Sequence, residues 1–433
     1  MGKYFVQNFG CRAAQADGAA LESLLAAKGF DAAGERTSAD LVVLNTCTVT
    51  SAADDDVRQT IRRVHRENPR ARILVTGCYA QRAPRELARM PGVEWVVGNS
   101  HKTQIAELVT LGALPQPETA PYHGNIFVSD IFAQHDFLSA PVEEAAGDRT
   151  RPNLKIQDGC NNRCSFCIIP FVRGRSRSAP AGQVVAQVRS LAERYREVVL
   201  SGINLGRWGR EPGSSLRLAG LIRLLLAETG VERLRLSSVE PMDFSDDLLG
   251  LMASQPRIAK HVHAPLQSGS DRILRRMHRK YRPRHYADRV LKARTWMPDA
   301  AIGADVMVGF PGETETDFAD TVQFIEALPF TYLHVFTYSE RPGTPAAEAA
   351  DSVPIPVRKE RNRVLRGLAD AKNRAFRERM VGLTLSAVTL HEPGTALTGN
   401  YLKVALSRSR QANAIVDLRI GGLTGHGLQE SAG

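Results

Sequence analysis

The sequence predicts an α/β protein in three parts: an N-terminal parallel α/β domain, a central partial (βα)6 barrel and a small C-terminal β-barrel. Three observations carry this. Apolar runs of strand length alternate with helical periodicity through most of the chain. A Pro-, Ala- and acid-rich stretch within 109–150, read as a linker, interrupts the alternation. From Val381 onward the helical signal stops, and short β runs separated by Gly and Asn take over. The chain has 433 residues, 43% hydrophobic and 24% charged, an ordinary globular composition with room for two or three domains. No run reaches the roughly 18 apolar residues of a membrane span. MGKYFVQNFG enters a strand-like run at once, so no signal peptide and a cytoplasmic location are expected.

In the first domain, 1–108, KYFVQNFG, LVVLN and RILVTG read as buried parallel strands. A helix is expected over 17–28, with Leu21, Leu24 and Leu25 as its apolar stripe and Gly29 as its stop. A second is expected over 51–67 on Val57, Ile61 and Val64, with Ser51 and Asp54 as a capping box. Each strand ends beside a cysteine: Cys11, Cys47 and Cys78. Right-handed crossovers bring strand carboxyl ends to one edge of a sheet, so these three distant thiols converge. Buried cysteines that happen to cap strands are the plainer alternative.

In the middle domain, 151–380, NLKIQ, EVVLSG, RLRLSS, VHAPLQ, GADVMVGF and YLHVFTY recur as strands with helices between them. Function in such a barrel gathers at strand carboxyl ends. There lie Cys160, Cys164 and Cys167 after the first strand, and Ser201, Gly202 and Asn204 after the second. Glu240 follows the third, Gln267 and Ser268 the fourth, and Asp305 lies in the fifth, before Gly309–Glu313. Together they outline a pocket above the cysteines. In the C-terminal part, 381–433, LTLSAVTL, YLKVALS and NAIVDLRI fit a small barrel of the kind that grips RNA.

DGCNNRCSFCIIP places three cysteines in a Cys-x3-Cys-x2-Cys run that is one ligand short of a closed zinc or iron–sulfur site. A four-iron cluster on three thiolates leaves one iron open to chelate a small molecule. A zinc knuckle with a remote fourth ligand is the alternative. All six cysteines fall into two such groups of three, and a disulfide framework is not expected.

Lys and Arg exceed Asp and Glu by 56 to 46, a formal charge of +10, which points to a polyanionic partner. RILRRMHRKYRPRHY (272–286) and VRKERNRVLRGLADAKNRAFRERM (357–380) are the basic segments, and Lys403, Arg408 and Arg410 add charge to the last module. They read either as solvated faces or as phosphate contacts.

NTCTVTSAAD, TGCYAQ, DGCNNRCSFCIIPFVRGRSRS, LSGINLGRWG, RLSSVEP, LQSGSDRILRRMHRKY, DVMVGFPGETETDF and HVFTYSERPGTPA together resemble the radical S-adenosylmethionine (radical-SAM) methylthiotransferases over nearly the whole chain. The resemblance implies an N-terminal domain with an auxiliary cluster, a radical-SAM partial barrel and a C-terminal TRAM β-barrel. It implies two [4Fe-4S] clusters: one on Cys160, Cys164 and Cys167, where S-adenosylmethionine is cleaved, and one on Cys11, Cys47 and Cys78, which delivers sulfur. Phe166 occupies a position common in the superfamily. With Ser201, Gly202, Asn204, Glu240, Gln267, Ser268 and Asp305 it is expected to line the S-adenosylmethionine site. NTCTVTSAAD is most similar to the branch acting on threonylcarbamoyladenosine beside the tRNA anticodon. Implied partners are the anticodon stem-loop of tRNA and a flavodoxin- or ferredoxin-like reductant, with the chain monomeric and off the membrane. The family usually has Asn three residues after Cys11 and a larger residue before the acid, where this chain has Ala14 and Ala16. The competing expectations are methylthiolation of isopentenyladenosine or of a ribosomal protein side chain, and a non-catalytic iron–sulfur protein that binds RNA or senses redox state.

Overall fold

The computed structural model describes residues 2–111, 124–134, 137–138 and 150–432. Its first module is a parallel sheet of β1 (Lys3–Asn8), β2 (Asp31–Ala32), β3 (Leu41–Thr46), β4 (Arg72–Gly77), β5 (Val93–Gly98) and β6 (Asn125–Phe127), in the order β2-β1-β3-β4-β5-β6. Side chains alternate between two apolar layers, as a sheet covered on both faces requires. Val42, Leu44, Ile73 and Val75 meet Val57, Ile61 and Val64 of α2 (Ser51–Glu67). Leu41, Val43, Leu74 and Trp95 meet Leu21 and Leu25 of α1 (Arg12–Ala27) and Ile105 of the helix Ile105–Leu111.

Several expectations shift here. The first helix starts at Arg12, not at 17, because Gly10 turns at φ +90° and Cys11, still extended, caps it. Gly29 stops it as expected, at φ +83°. The Ser51–Asp54 capping box does not form. Thr50 caps α2 by accepting from Ala53 N at 3.2 Å. Asp54 instead accepts from Thr48 (2.6 Å), Arg82 (2.9 Å) and Arg341 (2.7 Å), the last a residue of the middle domain. The segment taken as linker from 109 contributes β6, which pairs with β5. SAPVEEAAGD and, except for Gly124, PQPETAPYHG lie outside the described residues.

The middle domain has six parallel strands, as expected: β7 (Asn153–Asp158), β9 (Glu197–Gly202), β10 (Arg233–Leu236), β11 (His261–His263), β12 (Ala301–Val308) and β13 (Tyr332–Thr337). A two-residue antiparallel strand, β8 (Arg177–Ser178), edges β7. The arc has a weak seam: β10-β9-β7 and β11-β12-β13 are separate sheets joined by the bridge Leu234–Ile258. One apolar core runs behind both halves, from Val198, Leu200 and Leu234 to Val262, Ile302 and Val306.

A closed barrel of β14 (Thr384–Thr389), β15 (Thr395–Thr398), β16 (Lys403–Ala405), β17 (Ile415–Leu423) and β18 (Leu428–Glu430) ends the chain. Arg235 of β10 docks it, donating to the carbonyls of Thr398 (3.0 Å) and Gly399 (3.1 Å). Arg235 also pairs with Glu197 at 2.7 Å, and both side chains are fully buried. Burial alone would raise the Glu197 pKa, but Arg235, Arg151 and Arg233 together outweigh it and hold it at about 2. A carboxylate depressed in this way stabilises the fold above its unfolded pKa of about 4.3, and that contribution is lost as pH falls toward about 2. Glu197→Gln leaves Arg235 buried without its partner, at a cost of about 3–5 kcal/mol at neutral pH. Urea unfolding of both proteins at about pH 7 and about pH 3 checks this: the gap between them should narrow at the lower pH.

Candidate active site

Cys160, Cys164 and Cys167 lie on the loop leaving β7. Gly159 makes that turn at φ +71°, where a Cβ would strike the Arg175 carbonyl. The Gln157 side chain braces the loop, donating to Asp158 O (3.0 Å), Gly159 O (2.8 Å) and Ser176 Oγ (3.0 Å) and accepting from Asn204 N (2.7 Å). Each of two thiols has a polar neighbour. Asn162 N (3.4 Å) and Asn204 Nδ2 (3.7 Å) donate to Cys160 Sγ, and Arg279 Nη1 donates to Cys164 Sγ at 3.2 Å. Arg279 is held in turn by Glu240 and by the Tyr281 hydroxyl. Burial raises the Cys160 thiol and pushes the Cys167 thiol up to about 12. Deprotonation to a ligand therefore needs a compensating cation beyond what the protein supplies.

Cys11, Cys47 and Cys78 follow the carboxyl ends of β1, β3 and β4, three strands paired side by side in parallel, so they share one edge of the sheet as expected. Burial, reinforced by Cys78 and Cys11, pushes the Cys47 thiol up to about 12. Gly10 passes so close that a Cβ there would lie 2.7 Å from Cys47 Sγ. The chain just after Cys167 reaches Cys78 across the domain boundary. Cys78 packs against Ile168 and Val172, just beyond Cys167, and Arg173 Nε donates to Cys78 Sγ at 3.3 Å. Asn99 Nδ2 lies 3.7 Å from the same sulfur. Ala14 and Ala16 are buried, on the helix that packs against β7.

Arg173 belongs to a buried ionic knot that sequence reasoning missed. Asp17 of α1 binds Lys102 (3.0 Å), Arg173 (2.9 Å) and Lys155, and Asp158 binds Arg173 (2.9 Å) and Lys155 (3.0 Å). All five side chains are at most 6% exposed. The only trace in the sequence is a basic residue closing the apolar run IIPFV after Cys167.

Of the pocket residues expected from strand ends, the structure brings Asn204 and Glu240 to the cysteine loop, directly or through Arg279. Phe166 packs edge-on to Phe310 at 6.4 Å as part of an apolar wall with Ile273 and Met277. Others have different work. Ser201 is buried, with its hydroxyl on Leu154 O, and Gly202 is small because Gln157 packs against it. Ser268 is fully buried and bonds Thr321. Gln267 bridges to β12 at φ +66°. Asp305 faces two histidines.

The basic segments split in the same way. In 272–286, Arg279 is buried on Glu240, Arg272, Arg275, Arg276 and Arg282 pair with carboxylates nearer the surface, and Lys280 and Arg284 are exposed. In the helix Ile355–Met380, Arg358, Arg361 and Arg377 are buried, whereas Lys359, Arg366 and Arg379 are exposed. Arg408 is exposed, Lys403 pairs with Glu392 at 2.6 Å, and Arg410 pairs with Glu430.

Among the described residues, the one group of three ligating side chains close enough for a single ion is His263, Asp305 and His334; neither cysteine trio is among such groups. Each group offers three thiols, the donor type a [4Fe-4S] cluster takes, one short of full ligation.

A partial parallel barrel with three thiols on its first loop defines a radical-SAM enzyme. Residues 154–325 match the radical SAM superfamily model, and residues 3–98 match uncharacterized protein family UPF0004. The fold resembles the radical S-adenosylmethionine methyltransferase TsrM from Kitasatospora setae at TM-score 0.58 and 17% identity, over 80% of this chain and 76% of that one. The threonylcarbamoyladenosine tRNA methylthiotransferase MtaB of Aquifex aeolicus (strain VF5) is 37% identical over 96% of this chain and 100% of its own length. Its Bacillus subtilis (strain 168) namesake is 41% identical over 83% of this chain and 79% of its own. The tRNA-2-methylthio-N(6)-dimethylallyladenosine synthase of Thermobifida fusca (strain YX) is 37% identical over 90% and 78%. The chain belongs to the radical-SAM methylthiotransferase family, whose chemistry uses S-adenosylmethionine and a [4Fe-4S] cluster. No helix among the described residues is long and apolar enough to cross a membrane.

Proposed function

We propose that this protein adds a methylthio group to the adenine ring of threonylcarbamoyladenosine beside the tRNA anticodon. The observation that carries the reading is that the segment following Cys167 packs on Cys78 through Ile168 and Val172, with Arg173 donating to its sulfur. Relatives named for this reaction over most of the chain support the substrate. In this reading Cys160, Cys164 and Cys167 hold one [4Fe-4S] cluster, and Cys11, Cys47 and Cys78 hold the other. The bound clusters and S-adenosylmethionine would supply the one-electron cleavage and the sulfur that side-chain acid–base chemistry cannot.

The chain's own residues set the stage. Arg173 offsets negative charge on Cys78 and keeps the two modules in register. Arg279, clamped by Glu240, does the same for Cys164, and its buried position fixes the loop. Phe166, Phe310 and Met277 form the dry side of the site, which keeps solvent from a reactive intermediate. Exposed Lys359, Arg366, Arg379 and Arg408 offer charge to a phosphate backbone without reading its sequence. A flavodoxin- or ferredoxin-like reductant and a cytoplasmic location accompany this reading.

The second reading, methylthiolation of isopentenyladenosine, rests on similarity to relatives such as that of Thermobifida fusca. Mass spectrometry of nucleosides from tRNA, with and without active protein, separates the two. Methylthio-threonylcarbamoyladenosine should appear only with active protein. Accumulation of the methylthio-isopentenyl nucleoside instead would assign the second substrate.

A further inference from the structure

The barrel interior carries a ligand set that the cysteine chemistry does not use. His263 ends β11, Asp305 lies in β12, and His334 lies opposite Asp305 in β13. Asp305 Oδ1 is 3.4 Å from His263 Nε2 and 3.2 Å from His334 Nδ1, and the three ligand atoms all lie within 4.8 Å of one another. We propose that His263, Asp305 and His334 bind a divalent first-row transition ion, as a two-histidine, one-carboxylate site separate from both cysteine groups.

The geometry is that of a site already assembled. Ligands at about 2.1 Å from one ion stand about 3.0–3.4 Å apart, as Asp305 does from each histidine nitrogen. His263 is 6% exposed, and its Nδ1 meets the Ser238 hydroxyl at 2.6 Å. That contact fixes the ring and leaves Nε2 aimed at the carboxylate, as an outer-shell partner does for a metal-bound histidine. Nε2, though near Asp305, meets no acceptor at hydrogen-bonding geometry, a buried polar atom without a partner. The Tyr332 ring forms a floor, stacked at 5.7 Å on His263 and set 5.3 Å from His334, over Gly303, where a Cβ would collide with it. Tyr332, His334 and Phe336 share one face of β13, while Leu333 and Val335 pack into the core on the other. His334 and Phe336 are half exposed, so the face opens to solvent and leaves room for further ligands. Two imidazoles and one carboxylate are the donor types that suit a divalent first-row transition ion.

The test is a Mn2+ titration of the reconstituted enzyme, with clusters oxidised and EPR-silent, read from loss of the free-ion EPR signal. The wild type should take up one Mn2+ per chain, displaced by Zn2+. Ser238→Ala should bind about tenfold more weakly. His334→Ala and Asp305→Asn should lose that ion while keeping wild-type cluster absorption, which shows they are folded; the exposure of His334 makes its replacement the safer of the two. No uptake by the wild type, or equal uptake by wild type and His334→Ala, overturns the proposal.

Discussion

Cys164→Ala protein is expected to form no 5′-deoxyadenosine from S-adenosylmethionine, whereas Cys47→Ala protein still forms it and makes no methylthiolated nucleoside. The two outcomes differ because the thiols belong to different groups in different modules. Removing Cys164 leaves two thiols on the β7 loop, too few to hold a cluster, and strips Arg279 of its sulfur contact. Removing Cys47 dismantles the group at the edge of the first sheet and leaves Cys160, Cys164, Cys167 and their braces Gln157 and Asn204 untouched. Both products are quantified in one assay by liquid chromatography and mass spectrometry. Full methylthiolation by Cys47→Ala would remove the second thiol group from the reaction.

The largest effect on folding is expected from Asp17→Asn. Asp17 is 1% exposed and carries ion pairs to Lys102, Lys155 and Arg173. Burial works to raise its pKa, but the three cations together hold the carboxyl well below the usual range. The amide would leave Lys155 and Arg173 facing Asp158 alone, and Lys102 with no carboxylate partner. Breaking one buried pair costs about 3–5 kcal/mol, and here three are broken at once. Because Asp17 is on α1 and Arg173 and Lys155 belong to the barrel domain, the loss should separate the modules as well as destabilise them. Urea unfolding followed by tryptophan fluorescence checks it: an unfolding midpoint equal to the wild type would show that the knot does not tie the domains.

Much of this architecture was legible because it depends on periodicity. Buried parallel strands read as apolar runs, and Cys11, Cys47 and Cys78 mark their carboxyl ends, so both the sheet and the meeting of the thiols followed from sequence. The C-terminal barrel was signalled by the loss of helical spacing after Val381. Asn125–Phe127 was hidden because a three-residue edge strand has no period to detect. What the sequence obscured most was charge. Arg279 reads as part of a solvated basic run, yet it is buried beside Cys164; Arg173, Lys102 and Lys155 look like surface residues, yet they meet Asp17 in the interior. Pairing between residues so far apart in the chain, 85 positions or more from Asp17, leaves no local pattern. Ser201 and Ser268 were legible as strand-end residues, but the partners of their hydroxyls, Leu154 O and Thr321, were not.

The central claim is that two thiol groups each hold their own four-iron cluster. Anaerobic reconstitution followed by iron and acid-labile sulfide analysis tests it most directly, on the wild type and on protein with Cys160, Cys164 and Cys167 all changed to Ala. Sulfide distinguishes the clusters from any ion on His334. The account predicts about eight sulfides per wild-type chain and about four in the variant, held by Cys11, Cys47 and Cys78. A wild-type plateau near four with none in the variant would contradict it.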